Sequence, residues 1–134
     1  MATILLSIKA EYVSRILSGE KTFEYRKRIP KQSIDRIVIY ETSPKKRIVG
    51  IADVRGVVSD TPDHLWNSTG RKGGISKEAY MEYFSGSVKA YAFELKNITK
   101  TKHDFELNQL GINQPPQSYY YMSDEQMRML TNCF

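Results

Sequence analysis

The stretch LLSIKAEYVSRILSGEKTFEYRKR, residues 5–28, changes its hydrophobic period twice. It opens inside a short apolar run, TILLSI, which reads as a strand. In KAEYVSRILSGE the apolar positions Tyr12, Val13, Ile16 and Leu17 fall on one helical face. Glu11 and Arg15 stand four apart on the other face, a mildly helpful pair. Gly19 follows the last periodic residue, where a C-terminal cap belongs. KTFEYRKR then alternates. Phe23 and Tyr25 point to one side, and Thr22, Glu24 and Arg26 to the other, the period of a strand. Strand, helix and strand therefore follow one another, and the helix ends at the glycine that opens GEKTFEYRKR.

Beyond this, RIVIYET is apolar at both parities, which predicts an interior strand covered on both faces. RIVGIADVRGVVSD predicts a long strand, with Gly50 and Gly56 as bulge or close-approach points. TPDHLW starts a helix at a hydroxyl followed by proline. ISKEAYMEYF is a second helix with Ser76 as its cap. In VKAYAFELKNI, alternation puts Tyr91, Phe93 and Leu95 inward. After an irregular segment, MSDEQMRML predicts a final helix with a capping box of Ser123 and Gln126. Strands that follow one another directly favour antiparallel or mixed pairing over a doubly wound sheet. The expected class is α+β: a small curved β-barrel of mostly antiparallel or mixed strands with flanking helices. The whole chain, 1–134, reads as a single domain.

The chain has 20 Lys and Arg against 15 Asp and Glu, a formal net charge of +5. That favours polyanionic partners without making a polybasic tail. Its one cysteine, Cys133, excludes an intramolecular disulfide and a cysteine metal cluster. His64 and His103 lack ligand-spaced companions, so neither a metal nor a cofactor is expected. No apolar run approaches membrane-spanning length, and MATILLSIKA lacks the basic start of a secretory signal. A cytoplasmic protein without membrane association is the expectation.

Glu24 and Arg26 share a strand face and lie about 7 Å apart along it. Lys21 has the opposite parity, but backbone freedom beside Gly19 can turn it onto the same side. Parity alone favours a solvated charged face. A ligand-gripping site needs other polar groups to converge, and the candidates are Ser7, Lys9, Thr42 and Ser43. PPQSYYY, residues 115–121, adds Gln117, Ser118 and Tyr119. A stiff segment with an amide, a hydroxyl and aromatic rings suits a nucleobase, but the tyrosines can equally cover a barrel mouth. GRKGG, residues 70–74, lacks P-loop spacing and reads as a flexible loop, with phosphate contact as the sharper alternative. Trp66 reads as a core anchor.

GEKTFEYR fits G-x-K-x-x-E-x-R and resembles the hallmark of the ASCH domain, a branch of the PUA-like superfamily. The N-terminal stretch and PPQSYYY extend the likeness, which runs from Leu5 to about Tyr121, to the small stand-alone bacterial, archaeal and phage members. The resemblance implies a small PUA-like barrel whose cleft takes RNA, a nucleoside or a nucleotide, with Lys21, Glu24 and Arg26 on its wall. In that reading Lys21 and Arg26 hold phosphate or a carbonyl oxygen. Glu24 orients Arg26, accepts from a base amine or acts as a general base. One family branch deacetylates acetylated cytidine through G-x-K-T-x-T. Lys21 matches its lysine, but Glu24 stands in place of the second threonine, which weighs against that reaction. Some relatives are described as ribonucleases.

Three function classes follow. The leading one is an RNA- or nucleotide-binding protein, with regulation as a role it could serve. The second is an enzyme, a hydrolase of a modified nucleoside or a ribonuclease, with Lys21 and Glu24 as catalytic groups. The third is a protein-interaction module of a mobile element, using the tyrosines and the stripe Met127, Leu130 and Phe134.

Overall fold

The computed structural model describes residues 2–131. Strand β1 (Ala2–Ile8) leads into helix α1 (Ala10–Ser18), which Gly19 ends at φ 88° with its N–H on the Ile16 carbonyl. Strand β2 (Phe23–Arg26) follows, then β3 (Ile34–Glu41) and β4 (Arg47–Asp60). Helices α2 (Pro62–Thr69) and α3 (Lys77–Tyr83) flank a single 3₁₀ turn over Gly70–Lys72. Strand β5 (Ala90–Phe105), a 3₁₀ turn over Leu107–Leu110, β6 (Tyr120–Tyr121) and α4 (Asp124–Thr131) complete the order.

The six strands form one sheet in the order β2-β5-β4-β3-β1-β6. Only β1 with β3 is a parallel pair among the described residues, so the sheet is mixed as expected. It does not close into a barrel. Its edges are β2, with four residues, and β6, with two, and they pair only with β5 and β1. Such short edges cannot supply the staggered ladder that closure requires.

Parity explains the layers. Ile37 and Ile39 join Ile4, Leu6, Val13 and Ile16 in the core under α1. Val38 and Tyr40 face the opposite core, with Leu5, Leu110 and Leu130 of α4. Thus β3 is covered on both sides. Met127 and Leu130 dock on the chain's own core, while Phe134 and Cys133 lie outside the described residues. Strand β5 is also covered twice: Phe93 and Leu95 pack under α1, whereas Ala90 and Ala92 meet α2 and α3. It runs seven residues past Ile98, the end that alternation gave, because its long partner β4 continues the ladder to Phe105. Gly50 and Gly56 border two of the register shifts between β4 and β5, and a Cβ on Gly50 would press on the Thr99 carbonyl.

Local signals hold at the helix starts. Thr61 and Ser76 accept from the N–H groups of His64 and Ala79. Ser123 and Gln126 exchange both bonds of a capping box, at 2.9 and 3.1 Å. Trp66 leans on Tyr80 in the third apolar cluster, at a centroid distance of 4.9 Å.

Candidate functional site

A cavity of about 430 Å³ opens between the start of α1, strand β2 and helix α3. Ser7 and Lys9 line it from the end of β1, Tyr12 from α1, Glu24 and Arg26 from β2, and Tyr83 from α3. Lys21 reaches it from the turn before β2. Residues 21 and 22 precede the first residue of β2, so strand parity does not govern Lys21. Its ammonium lies 3.6 Å from Glu24 Oε1. The other carboxylate oxygen of Glu24 accepts from Arg26 Nε at 3.1 Å and Nη2 at 2.9 Å. Arg26 Nη2 also donates to the Ser7 carbonyl at 2.9 Å. One carboxylate thus sits between two cations, and the pair is anchored to β1.

This is not a solvated face. Lys21 is 2 % exposed and Glu24 is 7 % exposed. Burial pushes the Lys21 ammonium below the usual lysine range, and the charge and hydrogen bond of Glu24 pull partly back. Tyr25 and Tyr12 hold rings 5.0 and 5.5 Å from the ammonium, which favours the cation through their π-faces. Burial also raises the hydroxyls of Tyr12, Tyr25 and Tyr83, so all three remain donors at neutral pH.

The glycine-rich loop is packed against the N-terminal region rather than free. Its carbonyl oxygens face donors of the N-terminal region. Lys72 O accepts from the Thr22 N–H at 2.8 Å, Gly73 O from Lys21 Nζ at 2.5 Å and Gly74 O from Arg15 Nη1 at 2.8 Å. The glycines are sterically required. A Cβ on Gly73 would overlap the Tyr25 ring, and one on Gly74 would overlap Lys21. Gly74 also has φ +60°, a conformation that glycine adopts without penalty.

Positive potential at the cavity comes from other groups. Helix α1 begins at the cavity rim, and its N-cap residue, Lys9, makes no side-chain capping bond. The free N–H groups of its first turn and the exposed Lys9 ammonium add positive potential there. Arg26, half-buried, adds a second cation to the lining.

Five of the ten sequence candidates therefore converge on this cavity: Ser7, Lys9, Lys21, Glu24 and Arg26. Thr42 and Ser43 do not line it. They follow β3, and Thr42 serves the backbone by donating to the Ile8 carbonyl at 3.0 Å. Gln117 is exposed and also lies outside the lining. Ser118 and Tyr119 line a neighbouring cavity with Lys27, Arg28, Ile29 and Tyr91. The late segment still touches the first site, because Ser7 Oγ donates to the Pro116 carbonyl at 2.9 Å. Sequence reasoning missed Tyr12, Tyr25 and Tyr83, all read as helix or strand packing. Among the described residues no group of three or more His, Cys, Asp or Glu side chains gathers as metal ligands would, and no helix is long and apolar enough to cross a membrane.

Residues 6–102 match the ASCH domain profile. A protein of Zymomonas mobilis named "ASCH domain-containing ribonuclease" is 35% identical over 133 residues, 96% of this chain and 89% of that protein. The crystal structure of ASCH from the same organism superposes with a TM-score of 0.91 at 34% identity, over 98% of this chain and 94% of that one. The N-terminal domain of Staphylothermus marinus McrB has a TM-score of 0.63 at 13% identity, over 97% of this chain and 93% of that one, a likeness of fold alone.

Proposed function

Because the chain belongs to the ASCH domain family, we propose that the cavity between α1, β2 and α3 binds single-stranded RNA, taking one nucleotide inside. The observation that carries this reading is the Lys21–Glu24–Arg26 cluster at the cavity wall, with Lys21 and Glu24 buried and Arg26 half-buried. Buried ion pairs are a poor source of stability, because desolvation offsets most of their attraction. A cluster of this kind, with a shifted lysine and an open cavity beside it, marks a functional site. The volume, about 430 Å³, falls within the range of small-ligand sites. Tyr12 and Tyr83 offer rings for stacking a base, and Arg26, Lys9 and the start of α1 offer positive charge for phosphate. Glu24 holds the Arg26 guanidinium through two N–H groups and so fixes its direction.

The test is a fluorescence titration with a 5′-labelled, mixed-sequence RNA octanucleotide over a salt series. Wild-type affinity should fall as salt rises. Arg26→Gln should weaken it about tenfold or more, the usual scale for a charged hydrogen bond. Thermal melting of the same variant separates lost binding from lost fold. Affinity indifferent to both salt and Arg26→Gln, in a folded variant, would contradict the reading.

A second reading, RNA cleavage, is favoured by the ribonuclease name of the Zymomonas relative. Here Glu24, or neutral Lys21, takes the proton of a ribose 2′-hydroxyl. The 2′-oxygen attacks the adjacent phosphorus, the P–O5′ bond breaks, and the leaving 5′-oxygen takes a proton from water. Arg26 neutralises charge on the phosphoryl oxygens. Burial raises the neutral fraction of Lys21 and so suits it to proton transfer. Fragments ending in a 2′,3′-cyclic phosphate, lost in Lys21→Met, would establish cleavage. Intact RNA after saturating incubation leaves binding alone.

A further inference from the structure

We infer that the second cavity, lined by Lys27, Arg28, Ile29, Tyr91, Ser118 and Tyr119, holds the next nucleotide of the same RNA strand. This rests on the proposed reading of the first cavity and extends it. The linings of the two cavities come together at two places along the chain. Arg26 lines the first and Lys27 the second. Ser7 of the first bonds to Pro116, two residues before Ser118 of the second. Lys27 bridges them physically: its ammonium lies 4.9 Å from the ring of Tyr83, which belongs to the first cavity. Strand pairing sets Tyr91 directly opposite Arg26, so a residue of one lining pairs across the sheet with a residue of the other.

The chemistry of the second cavity suits a nucleotide. Lys27 and Arg28 are exposed cations, and the Lys89 ammonium stands 5.6 Å from the Tyr91 ring. Tyr91 and Tyr119 present rings beside them, and Ser118 adds a hydroxyl. Cations interleaved with aromatic rings are what an RNA strand without a partner requires: charge follows the backbone and each base finds a π-face. The volume, about 590 Å³, and the open form leave room for the chain to continue.

The experiment compares RNA octanucleotide binding by full-length wild type, Glu24→Gln and the double variant Arg28→Gln/Tyr91→Leu. Arg28 is exposed, and leucine keeps the apolar packing of Tyr91, so the fold is expected to survive; melting checks this, and Arg28→Gln alone repeats the test on the charge. The double variant should bind the octanucleotide about fivefold to 150-fold more weakly, the range for one stacked base. For either variant the slope of log affinity against log salt should become shallower by about 0.7, one phosphate contact on a single strand. Octanucleotide binding lost in Glu24→Gln but unchanged, in affinity and slope, in both second-cavity variants overturns this inference alone. Absence of octanucleotide binding by wild type overturns the first reading and this one with it.

Discussion

Lys21 is a cation that burial opposes and Glu24 supports. Burial is the larger effect, so its pKa in the fold lies below the ordinary 10.5. The sign of the pH dependence follows. Below the folded value both states hold the proton, and the fold carries the full cost of a buried cation. Between the folded value and 10.5 the unfolded chain binds more protons, so stability rises with pH. The tyrosines act the other way. Their hydroxyls are raised above 10.0, so they withdraw stability once the pH passes that point. Subtracting a Lys21→Met variant removes the tyrosine contribution. Urea denaturation of both proteins should therefore show the wild type gaining on Lys21→Met as pH climbs from neutrality toward 10. A constant difference would mean that Lys21 titrates as a solvated lysine. The company of Glu24 was legible in the sequence; the Gly73 carbonyl that helps to bury Lys21 was not, since it is 52 residues away along the chain.

At the scale of elements, most of the local architecture was legible. The period change within residues 5–28 placed β1, α1 and β2. Gly19 ended α1, and Ser76 and Ser123 began α3 and α4 as their side chains dictate. What escaped depended on distant partners. Strand β6 is two residues long and exists because β1 offers Ile4 and Leu5 as an open edge. The glycine loop looked flexible because its composition says nothing of the side chains that crowd it. That crowding predicts a difference between two glycines. Gly74 and Gly86 both have positive φ, but a Cβ on Gly86 meets open space while one on Gly74 overlaps Lys21. Alanine at either position bears the backbone strain. Gly74→Ala should cost about 1–3 kcal/mol more than Gly86→Ala, the scale of overpacking in a core. Chemical denaturation of the two variants checks this, and equal losses would show that the loop does not press on Lys21.

Over the whole molecule, the ASCH motif is a strand carried to the sheet edge, where α1 and α3 close over it. The G-x-K-x-x-E-x-R spacing sets Glu24 and Arg26 on one face by strand period, and the loop of residues 72–74 turns Lys21 to meet them. The family resemblance pointed to this cleft, but the barrel it implied is an open sheet, because closure depends on edge strands whose length no local pattern specifies. The positive excess of five charges is spread over the chain. The proposed RNA path uses the run from Lys9 and Arg26 to Lys27 and Arg28, assembled from segments that composition cannot join. The most direct measurement is an amide chemical-shift titration of the ¹⁵N-labelled chain with an unlabelled RNA octanucleotide. The largest changes should fall on residues 8–12, 21–28 and 75–83. Saturating RNA that leaves those amides unmoved, or moves chiefly those of α4 and the far sheet face, would contradict the assignment of the cleft.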